Sequence, residues 1–184
     1  MPMVLERNPL AAVLVNDFEC RMLAEWKTFL ASRGLGQGLS LACFDACNMP
    51  IVSASVDCVS SHGCLCNIIF HKELAVKEAF RVLRPGGVLV AIEGQVVQPP
   101  VDVILGVLAD PAMGGIWMMM PGLIAGWAAL AESVGFMVEN DRVLVRRAVT
   151  TEDGEFGRLA AHVGVAVEAE FHCILARKRG PLGH

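Results

Sequence analysis

Charge is scarce in this chain. Asp, Glu, Lys and Arg together make up 18% of its 184 residues, and the formal net charge is −4. No basic run is longer than Arg146–Arg147 or Arg177–Arg179, so the electrostatic footprint of a nucleic-acid binder is missing. A long apolar span is missing too. The most hydrophobic stretch, Val103 to Ala131, carries one charge, Asp110, but is broken by Pro111, Pro121 and five glycines. It falls short of the roughly 20 apolar residues that a transmembrane helix requires. The opening residues do not read as a secretory leader, and no internal repeat or low-complexity tract is visible. The expected compartment is the cytoplasm, and the seven cysteines are expected there as free thiols. Cys43, Cys47, Cys58, Cys64 and Cys66 lie near His62 and His71 in sequence, but without paired C-x-x-C spacing. They read as core thiols rather than zinc ligands, and no metal site is expected.

Apolar residues are in excess. They make up 54% of the chain, and the mean hydropathy is +0.53. The length suits one domain, and one core of that size hides less apolar surface than this sequence offers. Burial against another chain, a homo- or hetero-oligomer, is the expectation.

The order of elements defines the class. "AAVLV", Ala11 to Val15, is a continuous apolar run ending at Asn16–Asp17, the pattern of a buried parallel strand. Phe18 to Ser32 places Met22, Trp26, Phe29 and Leu30 on one helical face. "LSLACF", Leu39 to Phe44, and "VDCVSS", Val56 to Ser61, read as further strands. His71 to Leu83 has helical spacing and stops at Pro85–Gly86–Gly87. "VLVAIE", Val88 to Glu93, is another strand, and "LIAGWAALAESV", Leu123 to Val134, is a helix capped by Gly135. Strands near Phe136–Val149 and Val167–Ala176 follow one another around "TTEDGEFG" with no helix between, which predicts an antiparallel hairpin at a sheet edge. The expected fold is α/β, a Rossmann-like, mostly parallel sheet with helices on both faces and that hairpin at its C-terminal edge.

Gly34, Gly36 and Gly38 in "RGLGQG" have the spacing of a nucleotide-binding loop. Such a loop works when it leads from a strand into a helix, where bare N–H groups and the helix N-terminus meet the ligand. Here it follows a helix and precedes a strand. It reads as a turn with Gly34 as the helix C-cap, which excludes a dinucleotide fingerprint.

The strings "FDACNMPIVSASVDCVSS" and "KEAFRVLRPGGVLVAIE" resemble the middle of a class I S-adenosylmethionine-dependent methyltransferase over Ala11 to Glu93. "ESVGF" and "HCILARK" resemble that family's last helix and edge hairpin. The resemblance implies a cofactor, S-adenosylmethionine, and a set of roles. Asp17 matches the acid that takes the ribose hydroxyls, with Phe18 beside it, and an N-cap for the following helix is the other use of that aspartate. Asp45 and Ala46 match the adenine-contacting pair, where a plain turn is the alternative. Ser60 follows the strand that ends beside the methyl group. His62 is placed as a general base for a hydroxyl or amine acceptor, against an ordinary loop histidine. Glu78 and Arg81 are expected to tie the helix to the sheet.

One departure from the family shapes the functional reading. The family's first strand, glycine loop and first helix precede the strand that ends in the ribose acid, and only ten residues precede Ala11. Three repairs are open: the strands of Ala11–Val15 and Val56–Ser61 pair directly, "PMVLE" at Pro2 to Glu6 fills the gap, or another chain supplies the piece. The chain is expected as one truncated domain, 1–184, with a cofactor half at 11–93, an apolar lid or interface at 94–134 and edge strands at 135–184. Its first expected function is a methyltransferase-fold subunit with an incomplete S-adenosylmethionine site, acting with a partner, a fuller methyltransferase among the candidates. An autonomous methyltransferase for an apolar small molecule is the alternative. A fold reused for non-methylating chemistry is the third.

Overall fold

A computed structural model describes residues 7–8, 10–34, 39–68, 71–100, 103, 126–153, 157–158, 160–161 and 164–180. Pro2 to Glu6, Gly36, Gly38, nearly all of the Val103–Gly126 stretch and part of "TTEDGEFG" lie outside the described residues. The chain divides into two units, Met1–Pro50 and Ile51–His184.

In the first unit, strand β1 (Val13–Asp17) leads through helix α1 (Cys20–Ser32) to strand β2 (Leu39–Cys43). The strands pair in parallel, from Val13 opposite Leu39 to Asp17 opposite Cys43. This is the minimal βαβ unit, in which a helix must bridge two parallel strands because no tight turn reverses the chain direction. The expected strand is shifted toward its polar end, so that Asn16 and Asp17 belong to it. Glu19 is the N-cap of α1, its side chain accepting the Arg21 N–H. At the other end the C-cap is Arg33 rather than Gly34; Gly34, the next residue, takes φ +69° and donates its N–H to the Ala31 carbonyl at 3.0 Å, so the glycine ends the helix one position later than "RGLGQG" implied.

The buried line of α1 is not the expected one. Leu23 and Leu30 are buried, whereas Met22, Trp26 and Phe29 stay 36–42% exposed. Trp26 and Phe29 pack edge to face with centroids 5.8 Å apart, and the Arg33 guanidinium lies over Phe29 at 5.1 Å. The cysteine expectation is corrected here as well. Cys20 and Cys43 are joined as a disulfide with Cα atoms 5.5 Å apart, and the free thiols among the described residues are Cys47, Cys58, Cys64, Cys66 and Cys173. Parallel pairing sets the end of β2 beside the start of α1, a proximity invisible in a sequence separation of 23.

The second unit holds β3 (Val56–His62), a 3₁₀ turn (Leu65–Asn67), α2 (Lys72–Val82), β4 (Leu83–Gln98), α3 (Trp127–Val134), β5 (Phe136–Ala148) and β6 (Glu168–Lys178). Its sheet has the order β3-β4-β6-β5, with β3 parallel to β4 and the β5–β6 hairpin antiparallel at the far edge. α2 ends at Val82, as Pro85–Gly86–Gly87 required. Leu83 pairs with Val56, and the register then jumps to Cys58 opposite Val88, so residues 84–87 bulge out with Gly86 at φ +82°. A Cβ on Gly87 would lie 2.9 Å from the Arg84 carbonyl oxygen, which only glycine avoids.

Leu83, Leu89, Ala91, Ile174 and Ala176 form the core of this sheet under Ala75, Val76, Ala79 and Val82 of α2. Lys178 locks the hairpin to the helix. Its Nζ donates to the carbonyls of Phe80 and Leu83, both at 2.7 Å, and lies 4.7 Å from the Phe80 ring centroid. A cation thereby satisfies carbonyls that the end of a helix leaves bare.

Truncation of Leu83, which has 0% exposure, to alanine leaves a cavity beneath α2. The Leu83→Ala variant is expected to lose about 2–5 kcal/mol in urea unfolding. A loss under about 1 kcal/mol would contradict this core assignment.

Candidate active site

In open α/β sheets, ligands bind beyond the carboxyl ends of the parallel strands. Each unit has such an end, and most of the nominated residues stand there.

In the first unit Asp17 closes β1. Its Oδ1 accepts the Glu19 N–H at 2.8 Å. Because Glu19 is the N-cap of α1, the capping alternative for Asp17 is resolved against. Asn16 Oδ1 accepts the Phe44 N–H at 3.1 Å and ties the ends of β1 and β2 together. Phe18 is 79% exposed. Asp45, two residues beyond β2, uses Oδ1 to accept the Cys47 N–H at 2.8 Å, and its carbonyl accepts from Asn48 at 3.0 Å. Ala46 is half-buried beside it. Each carboxylate thus uses one oxygen to hold its own turn and leaves the second without a partner among the described residues. Those free acceptor oxygens fit a ligand offering hydroxyl or amine hydrogens, as a ribose and an adenine do.

In the second unit Ser60 stands opposite Val90, and His62, the last residue of β3, opposite Ile92. Both are exposed, and the His62 side chain makes no hydrogen bond or ion pair among the described residues. Arg81 and Glu78 do what the resemblance implied. A bidentate pair at 2.7 and 2.8 Å joins them, while Arg81 Nη1 donates to the Ile51 carbonyl at 2.7 Å and Ser53 Oγ at 3.0 Å, fixing the chain that enters β3.

The residue that sequence reasoning missed is Glu93, read there only as a strand end. It has 0% exposure. Its Oε1 accepts a short hydrogen bond from the Ser61 hydroxyl, and its Oε2 accepts the Cys66 N–H at 2.9 Å. A buried carboxylate persists only when charge-assisted hydrogen bonds replace water. Glu93 therefore pins the end of β3, where His62 follows Ser61, and the turn that carries Cys66 to the interior of β4. Burial pushes the neighbouring Cys66 thiol up to about 12, and the Glu93 charge adds to the effect. Lys72, buried beside them, is lowered by desolvation and donates to the Ile68 carbonyl.

A second polar cluster stands on the strand next to β4. His172 pairs with Glu93 in register. Its ring nitrogens lie 2.7 Å from Asp141 Oδ1 and 3.0 Å from Glu170 Oε2. Nearby Gln95, opposite Glu170, has a buried Oε1 without a hydrogen-bond partner among the described residues. Among the described residues no three His, Cys, Asp or Glu side chains form a group that could hold a metal ion.

Residues 2–91 match the family model described as a methyltransferase domain. A ubiquinone/menaquinone biosynthesis C-methyltransferase, UbiE, from Methylococcus capsulatus is 32% identical over 81 residues, which cover 44% of this chain and 32% of that protein. The chain thus spans about a third of the length of that curated relative. Among solved structures, a Bacillus halodurans methyltransferase aligns with a TM-score of 0.71 at 17% identity, over 91% of this chain and 83% of the other. Geranyl diphosphate methyltransferase, solved in complex with S-adenosylmethionine, aligns with a TM-score of 0.69 at 12% identity, over 97% of this chain and 73% of the other. At these identities the two structures establish the fold.

Two outcomes test the geometry around Glu93. In Glu93→Leu the Ser61 hydroxyl and Cys66 N–H lose their acceptor, and urea unfolding is expected to show a loss of about 2–4 kcal/mol; an unchanged midpoint would refute the network. Because the Cys66 thiol is raised to about 12, its thiolate fraction grows tenfold per pH unit below that value. Iodoacetamide labelling of Cys66, read by peptide mass spectrometry, should keep accelerating through pH 11. A plateau near pH 9 would contradict the shift.

Proposed function

We propose that this chain is a member of the class I S-adenosylmethionine-dependent methyltransferase family and forms one part of a small-molecule methyltransferase whose cofactor site a partner chain completes. The observation that carries this reading is the division of the strands into two sheets, β2-β1 and β3-β4-β6-β5. Among the described residues β1 pairs only with β2, and β3 only with β4. "PMVLE", one of the three repairs, lies outside the described residues.

A strand edge left open exposes backbone groups that need partners. The apolar stripe of Met22, Trp26 and Phe29 supports the same reading. A right-handed crossover carries α1 from β1 to β2, and the stripe lies a quarter-turn from the Leu23–Leu30 line. It therefore points away from β2, toward the open side of β1. What covers it is an apolar helix that follows a strand on that edge.

When bound, the cofactor supplies an electrophilic methyl group on a sulfonium centre. The chain's own residues do the holding. Asp17 and Asp45 take the ribose hydroxyls and the adenine amine with the oxygens their turns leave over, Phe18 and Ala46 line the same ends, and Ser60 stands on β3. Rate enhancement in such a transfer comes mainly from alignment and exclusion of water. His62 accepts a proton from the acceptor, at the end of β3 that Glu93 holds in place through Ser61 and Cys66. The acceptor favoured is an apolar molecule, in keeping with the apolar composition of Val103–Ala131 and with the name of the UbiE relative.

Calorimetry with S-adenosylhomocysteine tests this directly. The native assembly is expected to bind it at micromolar concentration, and the isolated chain at least tenfold more weakly. Asp17→Ala in the assembly should weaken binding about tenfold or more, the loss of hydrogen bonds to a charged acceptor. Equal binding by the isolated chain would remove the partner from the account. Unchanged binding by Asp17→Ala would remove the cofactor site.

A further inference from the structure

The disulfide lies between the two turns proposed above to hold the cofactor. Cys43 stands directly opposite Asp17 in the β1–β2 register, and Cys20 opens α1 three residues beyond Asp17. Asp45 follows Cys43 by two residues. The bond between Cys20 and Cys43 thus ties together the two turns that present the unpaired oxygens of Asp17 and Asp45. Both cysteines are exposed, so the bond is open to a thiol from solution.

We infer that Cys20 and Cys43 form a thiol–disulfide exchange site that sets the affinity of the chain for S-adenosylmethionine: the oxidised form binds and the reduced form releases. This rests on the proposed role of Asp17 and Asp45 as the cofactor's carboxylates. The physical reason is preorganisation. With the bond closed, the spacing of the two carboxylates is fixed before the ligand arrives. With it open, the strand ends are linked by the Asn16 side chain, which accepts the Phe44 N–H, and by the freed Cys43 thiol, whose Sγ lies 3.4 Å from the Phe18 carbonyl oxygen; these are looser ties than a covalent bond, and binding must itself order the turns further.

The reaction partner is a dithiol. Its thiolate attacks Cys43 Sγ, the Sγ–Sγ bond breaks, and Cys20 leaves as a thiolate that takes up a proton; the N-terminus of α1 favours negative charge there. The second thiol of the dithiol then attacks the mixed disulfide and displaces Cys43. Two electrons and two protons pass from the dithiol, which ends as a cyclic disulfide, to two cysteine thiols. Oxidation is the reverse.

The test uses the native assembly, with S-adenosylhomocysteine as ligand and dithiothreitol as dithiol. Alkylation before and after reduction, read by peptide mass spectrometry, should show Cys20 and Cys43 blocked as a pair and then both labelled. Reduction is expected to weaken binding about fivefold or more, with recovery on reoxidation, the scale of reordering a few side chains. A Cys20→Ser/Cys43→Ser variant should bind as the reduced form does and ignore dithiothreitol. Equal affinity before and after reduction, or alkylation of both cysteines without any reductant, overturns the inference while leaving the cofactor site intact. Absence of binding in both forms, with the pair shown to be oxidised and reduced in turn, overturns the cofactor site on which it rests.

Discussion

Every N–H and C=O of a strand needs a partner, and in a sheet those partners come from both sides. β1 and β3 have theirs on one side only among the described residues. The other features follow from that constraint. The strands fall into two sheets rather than one, and the stripe of Met22, Trp26 and Phe29 stays part-exposed. An excess of apolar residues in a chain of this length is the compositional trace of the same fact.

What is polar and ordered gathers at the carboxyl ends of the strands. Asp17, Asn16 and Asp45 hold turns at the ends of β1 and β2, and Glu93 holds the turn after β3. Each uses a short side chain to organise backbone that would otherwise be loose, and the two aspartates keep an oxygen in hand for a ligand. Glu93 keeps none, since both its oxygens are taken by Ser61 and Cys66. It is therefore a positioning residue, acting through the loop it fixes.

Much of this was legible in the residues. The apolar run before Asn16–Asp17 announced β1, the break at Pro85–Gly86–Gly87 announced the end of α2, and two β-rich stretches without a helix between them announced the hairpin. The illegible parts share one cause, contacts made by topology rather than by local pattern. The Cys20–Cys43 bond depends on parallel pairing that carries residues far apart in sequence to one edge. Glu93 reads as a strand terminus because it is charged, yet β4 runs on to Gln98, held by β6 from Val88 onward. The buried face of α1 was misread for the same reason. Periodicity shows that the helix has apolar residues in excess of one face, and only the sheet beneath it decides that Leu23 and Leu30 turn inward.

The central claim, that the open sides of β1 and β3 are filled by a strand from a partner, is most directly tested by amide hydrogen exchange of the chain alone and in its native assembly. Alternate amides of Val13–Asp17 and Val56–His62, those facing the open edges, should exchange fast in the isolated chain and become protected in the assembly, while the amides already bonded to β2 and β4 change little. Equal protection of both sets in the isolated chain would mean that the edges are already paired, and would contradict the account.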